Sequence, residues 1–448
     1  MQGNNLSPTL FNIYINELAK SLEDSSAPGL TLGNTEIKCL LFADDLVLLS
    51  SCKEGLQQLL DHLQHFCQTW ALRVNMKKTK VMVFQKRSRC QGNRYPFVLG
   101  CTNIEHTHTY TYLGLKISST GNFNMAVNDL REKARRAFYI IRKSVKMYIP
   151  IRIWLKIFKS IIEPIALYGS EVWGPLANQE FSKWDKHPIE TVHTAFCKYI
   201  LKTQRKTPNN ACRAELGQFP LLINIQKRAL KFHKHLQKSD PTSYHHQALK
   251  CQEENINKSP LSQLVLRLTS TNPPLTKTTS TNQVIKMQQE NYITYWKNTT
   301  KTQSKLECYL ALNREYTVAE YLSTVTDPKL RKTLTMYRLS DHHLAIETGR
   351  HKQSWLPRED RLCSLCSQGE VETELHFLLH CDKYKDIRAS FFPKIKEKYN
   401  EFDSTINTLS LQYVLGEQSK CTFLAAQYVW SCHQLRDSQW TEEPSTSG

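Results

Sequence analysis

Two adjacent aspartates, Asp44 and Asp45, sit between two apolar arms in the stretch KCLLFADDLVLLS, residues 38–50. Cys39, Leu40, Leu41 and Phe42 lead in, and Leu46, Val47, Leu48 and Leu49 lead out. Short apolar runs of this kind suit a buried strand pair, so a turn at Ala43, Asp44 and Asp45 should fold the arms into a hairpin. Few folds tolerate the result, because burying one ionised carboxylate without a partner is costly and burying two is worse. A pair of solvated turn residues avoids the problem. So does a divalent cation, since carboxylate oxygens presented together are what Mg²⁺ selects, usually with waters and substrate phosphates.

The neighbours weigh on that choice. Ser7 before Pro8 has the form of a helix N-cap followed by proline at the first helical position, and Leu10, Phe11, Tyr14, Ile15 and Leu18 recur at helical spacing. A strand is expected near residues 29–32, ahead of the hairpin. Beyond the hairpin, Leu56, Leu59, Leu60, Leu63, Phe66, Cys67 and Trp70 mark one face of an amphipathic helix that would pack on the sheet bearing the aspartates. Asn75, Lys77, Lys78 and Lys80 then form a basic turn feeding an apolar run, residues 81–84. From about 125 to 200 the pattern is helical and basic. Leu130, Ala134, Phe138, Ile141 and Val145 line one face while Arg131, Lys133, Arg135, Arg136, Arg142 and Lys143 crowd the others. A second helix over 153–167 should turn Trp154, Ile157, Phe158, Ile161 and Ile162 inward, with a kink at Pro164.

Charge states which partners the surface prefers. The 448 residues carry a formal net charge of +18, with 10% aromatic residues, which favours polyanions and among them nucleic acid, where rings can stack beside Lys and Arg. No apolar run approaches the roughly 20 residues that span a bilayer, and the polar start carries no secretory signal. The 14 cysteines then read as reduced thiols, with close pairs better read as metal sites than as disulfides. A nuclear or cytoplasmic protein, neither secreted nor membrane-bound, is expected. No GxSxG elbow, P-loop or HExxH helix is present, which argues against those hydrolase, nucleotidase and metalloprotease chemistries.

Four pieces in one order carry a resemblance: QG..LSP.LF from Gln2, FADD from Phe42, N..KT from Asn75, and Tyr112-Leu113-Gly114. Together they resemble the palm of a reverse transcriptase from a non-LTR, LINE-type retrotransposon, and the likeness continues through a thumb-like segment containing Leu167 to Trp173. The resemblance implies an RNA-directed DNA polymerase working by two-metal nucleotidyl transfer, with Mg²⁺ or Mn²⁺ on Asp44 and Asp45. It places Gln2, Gly3, Phe42 and Ala43 near the template and incoming nucleotide, Asn75 and Lys78 in a turn near the phosphates, and Tyr112, Leu113 and Gly114 in the hairpin that grips the primer. RNA template and DNA primer or target are the implied partners. The family also uses a third aspartate on a strand before the Gln-Gly segment, and fingers beside it. This chain starts at Met1, so the expectation is an N-terminally truncated fragment with little polymerase activity alone.

A second chemical site stands near the C-terminal end. Cys363 and Cys366 form a C-x2-C knuckle, and His376 and Cys381 complete C-x2-C-x9-H-x4-C, three sulfurs and one imidazole. That is the ligand set of a closed, structural Zn²⁺ site. His380 is an alternative nitrogen, awkwardly adjacent to Cys381. The run from Arg338 to His343, then Ile346 to Arg350 and Arg361 to Cys363, resembles the zinc-binding region that follows the polymerase in the same family, which implies a nucleic-acid-binding role. The expected fold class is therefore α+β: a partial palm, an antiparallel sheet with packed helices, over 1–120, and a basic helical thumb over 121–236. A polar linker over 237–283, a helical region over 284–350, the CCHC region over 351–400 and a C-terminal helical segment with a polar tail over 401–448 follow. The alternative to a polymerase remnant is a non-catalytic, zinc-containing nucleic-acid-binding protein.

Overall fold

The structure is a computed structural model that describes residues 7–84, 95–145, 149–270, 280–312, 315–351, 353–403, 407–417 and 419–440. Gln2 and Gly3 lie outside the described residues. The chain divides into two compact units, the first comprising 1–129, 169–177 and 228–277, and the second 130–168, 178–227 and 278–448. Helices predominate, with a few small sheets, so the molecule is a mixed α+β protein.

In the first unit, helix α1 (Ser7–Glu23) starts where the Ser-Pro signal places it. Its inward residues are Leu18 and Leu22, while Leu10 and Ile13 stay exposed. Two hairpins follow: β1 (Leu30–Leu32) with β2 (Thr35–Ile37), then β3 (Cys39–Phe42) with β4 (Asp45–Leu48). Lys38, at the junction, is buried, and its ammonium donates to the carbonyls of Glu23 at 2.9 Å and Ser25 at 2.5 Å. A cation on the last carbonyls of α1 complements the helix dipole and ties that helix to the base of the aspartate hairpin.

Helix α2 (Lys53–Thr69) buries Leu59, Leu60, Leu63, Phe66 and Cys67 against Leu18, Leu22, Cys39, Val81, Phe97, Leu99 and Ile104. The Tyr14 hydroxyl donates to the Trp70 carbonyl at 2.5 Å, and Trp70 stacks on Phe66 at 5.5 Å, which fixes α1 across the end of α2. Gly55 allows close approach at the other end. A Cβ there would lie 2.6 Å from the Pro28 carbonyl oxygen and 2.5 Å from Ser50 Oγ.

The remaining strands are short: β5 (Lys80–Val81), β6 (Val98–Leu99), β7 (Thr102–Asn103), β8 (Glu105–His106), β9 (Thr109–Tyr112) and β10 (Leu115–Ser118). Here the expectation of one antiparallel palm sheet needs correction. Among the described residues the strands form five separate pairs, four antiparallel and one, β5 with β8, parallel. Strands of two to four residues offer too few ladder bonds to recruit a third neighbour, and the apolar burial comes from α1 and α2 instead. The aspartate hairpin is accordingly half-buried: Cys39 faces the core, while Leu40 and Phe42 alternate outward, Phe42 being 61% exposed.

The basic helix α3 (Asn124–Ser144) buries Leu130, Ala134 and Phe138 as the periodicity predicts and leaves Lys133, Arg135, Arg136, Arg142 and Lys143 exposed. The second predicted helix differs. It runs as an α-helix over Ile151–Ile157, a π-turn over Phe158–Ile162 and a last turn over Glu163–Ala166. A π-turn adds one residue and shifts the helical phase. Ile161, read as inward, is therefore 45% exposed, while Ile162 is buried as read. Within the stretch read as a polar linker, Tyr244–Glu254 and Pro260–Thr269 are helices whose N-caps, Ser243 and Ser259, accept backbone N–H bonds. Leu249, Leu261, Leu264 and Leu268 are buried there, four apolar positions spaced among the turn-forming residues that dominated the composition.

The second unit is helical. Glu190, fully buried, accepts from Trp184 Nε1 at 2.7 Å, Arg213 Nη1 at 3.1 Å and the Leu221 amide at 2.9 Å, and its other neighbour is His193 Nδ1 at 3.0 Å. Arg338, also fully buried, donates to Glu215 at 2.6 Å, to Glu417 at 2.8 Å and to the Leu415 carbonyl at 2.7 Å. Buried charges persist when every donor and acceptor is engaged in this way. No described helix is long and apolar enough to cross a membrane.

Candidate functional sites

The first site lies at the tips of two hairpins in the first unit. In the aspartate hairpin Phe42 pairs with Asp45, so the turn is the two residues Ala43 and Asp44, and Asp45 opens β4. Ala43 adopts φ 52°, a left-handed conformation that costs a residue with a Cβ roughly 1–2 kcal/mol. Such strain collects at functional turns. Here it holds Asp44 and Asp45 side by side, both exposed. The second hairpin, β9 with β10, pairs Tyr112 with Leu115 and turns through Leu113 at φ 46° and Gly114 at φ 79°. Two positive-φ residues make the turn that matches strand twist in tight hairpins, which explains the glycine in Tyr-Leu-Gly.

Asp45 lies near enough to the second hairpin for its charge to act on Tyr112. Burial and the negative charge of Asp45 raise the pKa of the Tyr112 phenol. The basic turn joins the same group. The Asn75 carbonyl and side chain both receive the Lys78 amide, at 3.0 and 3.3 Å, and the Thr79 amide and hydroxyl bond the same carbonyl, each at 3.0 Å. The asparagine and threonine of N..KT thus shape the turn that presents the lysine. Tyr110 ties that turn to the second hairpin by donating to the Lys78 carbonyl at 3.2 Å. Phe42, Ala43, Asp44 and Asp45 therefore lie at one hairpin tip, while Asn75 and Lys78 lie in a turn that a hydrogen bond joins to the hairpin of Tyr112, Leu113 and Gly114. Glu17 pairs with Lys20, and Glu23 accepts from the Tyr244 hydroxyl, so both of these carboxylates are engaged elsewhere. Among the described residues no third carboxylate, cysteine or histidine converges with Asp44 and Asp45.

The second site is complete in donor atoms. One ligand atom from each of Cys363, Cys366, His376 and Cys381 lies within 4.8 Å of the others, and this is the only such group among the described residues. A short hairpin presents the first two: Leu362 bridges Val371, and the Cys363 amide donates to the Glu370 carbonyl at 2.9 Å. A π-turn over His376–His380 presents the other two. Cys363 Sγ is 3.9 Å from Cys381 Sγ, and Cys366 Sγ is 3.4 Å from His376 Nε2. The other ring nitrogen, Nδ1, is 2.9 Å from Glu370 Oε2. A carboxylate on Nδ1 fixes the tautomer and leaves Nε2 as the free lone pair facing the thiols, the usual support of a metal-bound imidazole. Burial pushes the Cys381 thiol up to about 12, and the Cys363 thiol is raised for the same first reason. Thiolates in that position call for a cation to offset the desolvation. His380 stands outside the group.

The supports around this knuckle escaped the sequence reading. Glu374 accepts from Ser340 at 2.7 Å and contacts His342 Nε2 at 2.9 Å. Burial opposes its charge, but His342 and the bonds from His342 and Ser340 hold its carboxyl down at about 2. Glu372 pairs with Arg436, and Arg361 donates to the carbonyls of Ile346 and Leu356, each at 3.0 Å. The run from Arg338 to His342 is thus buried, with Ser340 and His342 clasping Glu374. Its signal was the spacing of Glu370, Glu372 and Glu374, three carboxylates each matched to a different cation or imidazole.

Comparison with known proteins bears on the N-terminal part of the chain. Residues 1–117 match the reverse transcriptase (RNA-dependent DNA polymerase) family. The chain is 26% identical over 193 residues to the RNA-directed DNA polymerase from the mobile element jockey of Drosophila melanogaster, covering 41% of this chain and 20% of that protein. It is 34% identical over 142 residues to the Pol polyprotein from the type-2 retrotransposable element R2DM of the same fly, covering 30% and 13%. A putative transposon-derived protein of Caenorhabditis elegans is 28% identical over 137 residues, 48% of its length. The alignments span about a fifth or less of the two polymerase relatives. The chain carries reverse transcriptase sequence of the non-LTR retrotransposon type, as the order of its motifs implied.

Proposed function

We propose that residues 1–120 act as the carboxylate-bearing part of an RNA-directed DNA polymerase palm and that 121–236 act as a thumb on the primer–template backbone. The observations that support this are the match of residues 1–117 to the reverse transcriptase family and the hydrogen bond that ties the Tyr112 hairpin to the Lys78 turn. Asp44 and Asp45 would hold the divalent ions, which supply activation of the primer hydroxyl and neutralisation of the departing pyrophosphate. Tyr112, Leu113 and Gly114 would seat the primer end, and Lys78 would meet phosphate. A DNA polymerase centre needs carboxylates converging from more than one strand. With no third ligand beside Asp44 and Asp45 among the described residues, the chain by itself should bind primer–template and extend it poorly.

A second reading is a non-catalytic nucleic-acid-binding protein that retains a zinc knuckle, favoured by the complete donor set at Cys363, Cys366, His376 and Cys381. Zn²⁺ there would be structural, closing the two short elements into one unit. A primer-extension assay on an RNA template with Mg²⁺ or Mn²⁺ separates the readings. Trace extension abolished by Asp44→Ala supports the palm assignment. Binding with no extension under any condition supports the second reading. Robust extension abolished by Asp44→Ala would sink the inference of weak activity, and absence of binding at low salt would sink both readings.

A further inference from the structure

One cavity of the second unit is lined by charge of a single sign. It measures about 260 Å³ and lies between the end of the helix Pro188–Leu201, the first turns of Pro328–Arg338 and the start of Ile151–Ile157. Ile151, Trp154 and Tyr199 give it apolar walls, and Lys202, Arg331 and Lys332 bring three cations to it. No aspartate or glutamate is among the described residues of its lining. Arg331 is 9% exposed and its Nη1 donates to the Val325 carbonyl at 3.3 Å, whereas Lys202 and Lys332 are exposed. The Lys202 ammonium lies 4.6 Å from the centre of the Tyr199 ring, and the Arg142 guanidinium lies 5.4 Å from the same ring.

Cations gathered around one recess repel each other, and an anion among them relieves that repulsion. Burial adds to the cost, since it lowers the Arg331 pKa. The apolar walls keep water back, so an entering negative charge is held more strongly than on an open surface. Size and charge narrow the anion. A cavity of about 150 Å³ accommodates a benzene ring, so one of about 260 Å³ admits a phosphate with the sugar that bears it. A phosphate monoester carries about −1.5 to −2 charges at neutral pH and is attached on one side only. A phosphodiester inside a strand carries a single charge, and its chain must leave in two directions, which a recess obstructs. Position favours a strand end over a free anion. Val145, the residue after helix α3, lines the cavity, and the exposed cations Arg136, Arg142 and Lys143 of α3 lead toward it.

We propose that this cavity holds the terminal phosphate monoester of a nucleic-acid strand whose backbone runs along α3. The inference rests on the reading of residues 121–236 as a part that meets nucleic acid. Lys202 from one helix end and Lys332 from the facing helix would neutralise the phosphate oxygens, and the Arg331 guanidinium would offer them a planar fork of donors. The sugar would lie against Ile151 and Trp154. Such a site reads the end of a strand and not its bases, because phosphate contacts carry no sequence information.

The test compares binding of the full chain to one oligothymidylate, labelled at its centre, that ends in a 5′-phosphate, in a 3′-phosphate or in hydroxyls on both sides. One phosphorylated strand should bind about tenfold more tightly than the hydroxyl strand, the scale of an added charge-assisted contact, and which strand does so assigns the end. Lys202→Gln combined with Lys332→Gln, both on exposed side chains, should erase the advantage, while Lys286→Gln, which removes an exposed cation from the helix Thr281–Lys301, should keep it. Equal binding of the three strands by the unaltered chain would overturn the proposal while leaving nucleic-acid binding intact, and needs no variant to fold. An equal gain for both phosphorylated strands would mark a general effect of charge and would overturn it too, as would an advantage that survives the double lysine variant. Thymidine 5′-monophosphate that removes the advantage at concentrations near the strand's own would make this a site for free nucleotides instead. No binding of any strand would defeat the nucleic-acid reading of residues 121–236 itself.

Discussion

At the scale of single residues, the densest electrostatic investment in the second unit is not at either proposed site but at Glu190 and His193. Burial alone would lower the His193 pKa, but Cys197 and the Glu190 carboxylate beside it raise it to about 10, while Glu190 itself is held below the ordinary range by His193, Arg213 and the Leu221 amide against the cost of burial. A histidine raised in the folded state contributes stability that is fully present below its unfolded value near 6.5 and is lost as pH climbs toward about 10. The carboxylate works oppositely, contributing above its ordinary value near 4.5 and losing that contribution as pH falls through its lowered one. His193→Gln should therefore cost about 3 kcal/mol at pH near 6, the scale of breaking a buried ion pair, and progressively less toward pH 10. Denaturant melts of both proteins across that range check it. A gap between them that stays constant with pH would show that His193 is held neutral.

At the scale of elements, the legible parts were those whose local chemistry has one solution. Ser7-Pro8 opens a helix, the two short apolar runs around Asp44 and Asp45 make a hairpin, and the periodicity of α3 gives its buried face. What periodicity cannot carry is an insertion. The π-turn at Phe158–Ile162 shifts the helical phase, so Ile161, read as inward, emerged while Ile162 stayed buried as read. Composition misled in the same way between 237 and 283, where a few leucines among many serines and threonines suffice for two capped helices. The C-terminal knuckle shows both sides: its four donors were legible from spacing, its supports were not, because Glu370 reaches His376 only after the hairpin at Leu362 and Val371 has closed. If that carboxylate orients the imidazole, Glu370→Ala should weaken metal binding about 10- to 100-fold in competition with a chelator, while Cys363→Ser should remove tight binding. Equal affinity of Glu370→Ala and the unaltered chain would assign the glutamate no part in the site.

At the scale of the whole molecule, a net charge of +18 must be read by where it is exposed. On α3 the cations divide into two kinds. Arg131 and Arg135 lean on Glu132, at 2.9 and 3.0 Å, and are partly neutralised within the helix. Arg142 and Lys143 instead lie over the Tyr139 ring, at 5.6 and 4.8 Å, and Arg136 is exposed. Cations held over a ring keep their charge available and are ordered before a phosphate arrives, which lowers the entropic cost of meeting it. Replacing Arg136, Arg142 and Lys143 with Gln should therefore weaken binding to a primer–template and lower the slope of log affinity against log salt by about 2–3, close to one for each phosphate contact removed. The measurement is affinity by fluorescence anisotropy between about 50 and 200 mM salt, where a chain with many phosphate contacts loses orders of magnitude. An unchanged slope would make this face merely solvated and would move the nucleic-acid path elsewhere, while a loss of slope without a change in melting temperature would place the backbone along α3.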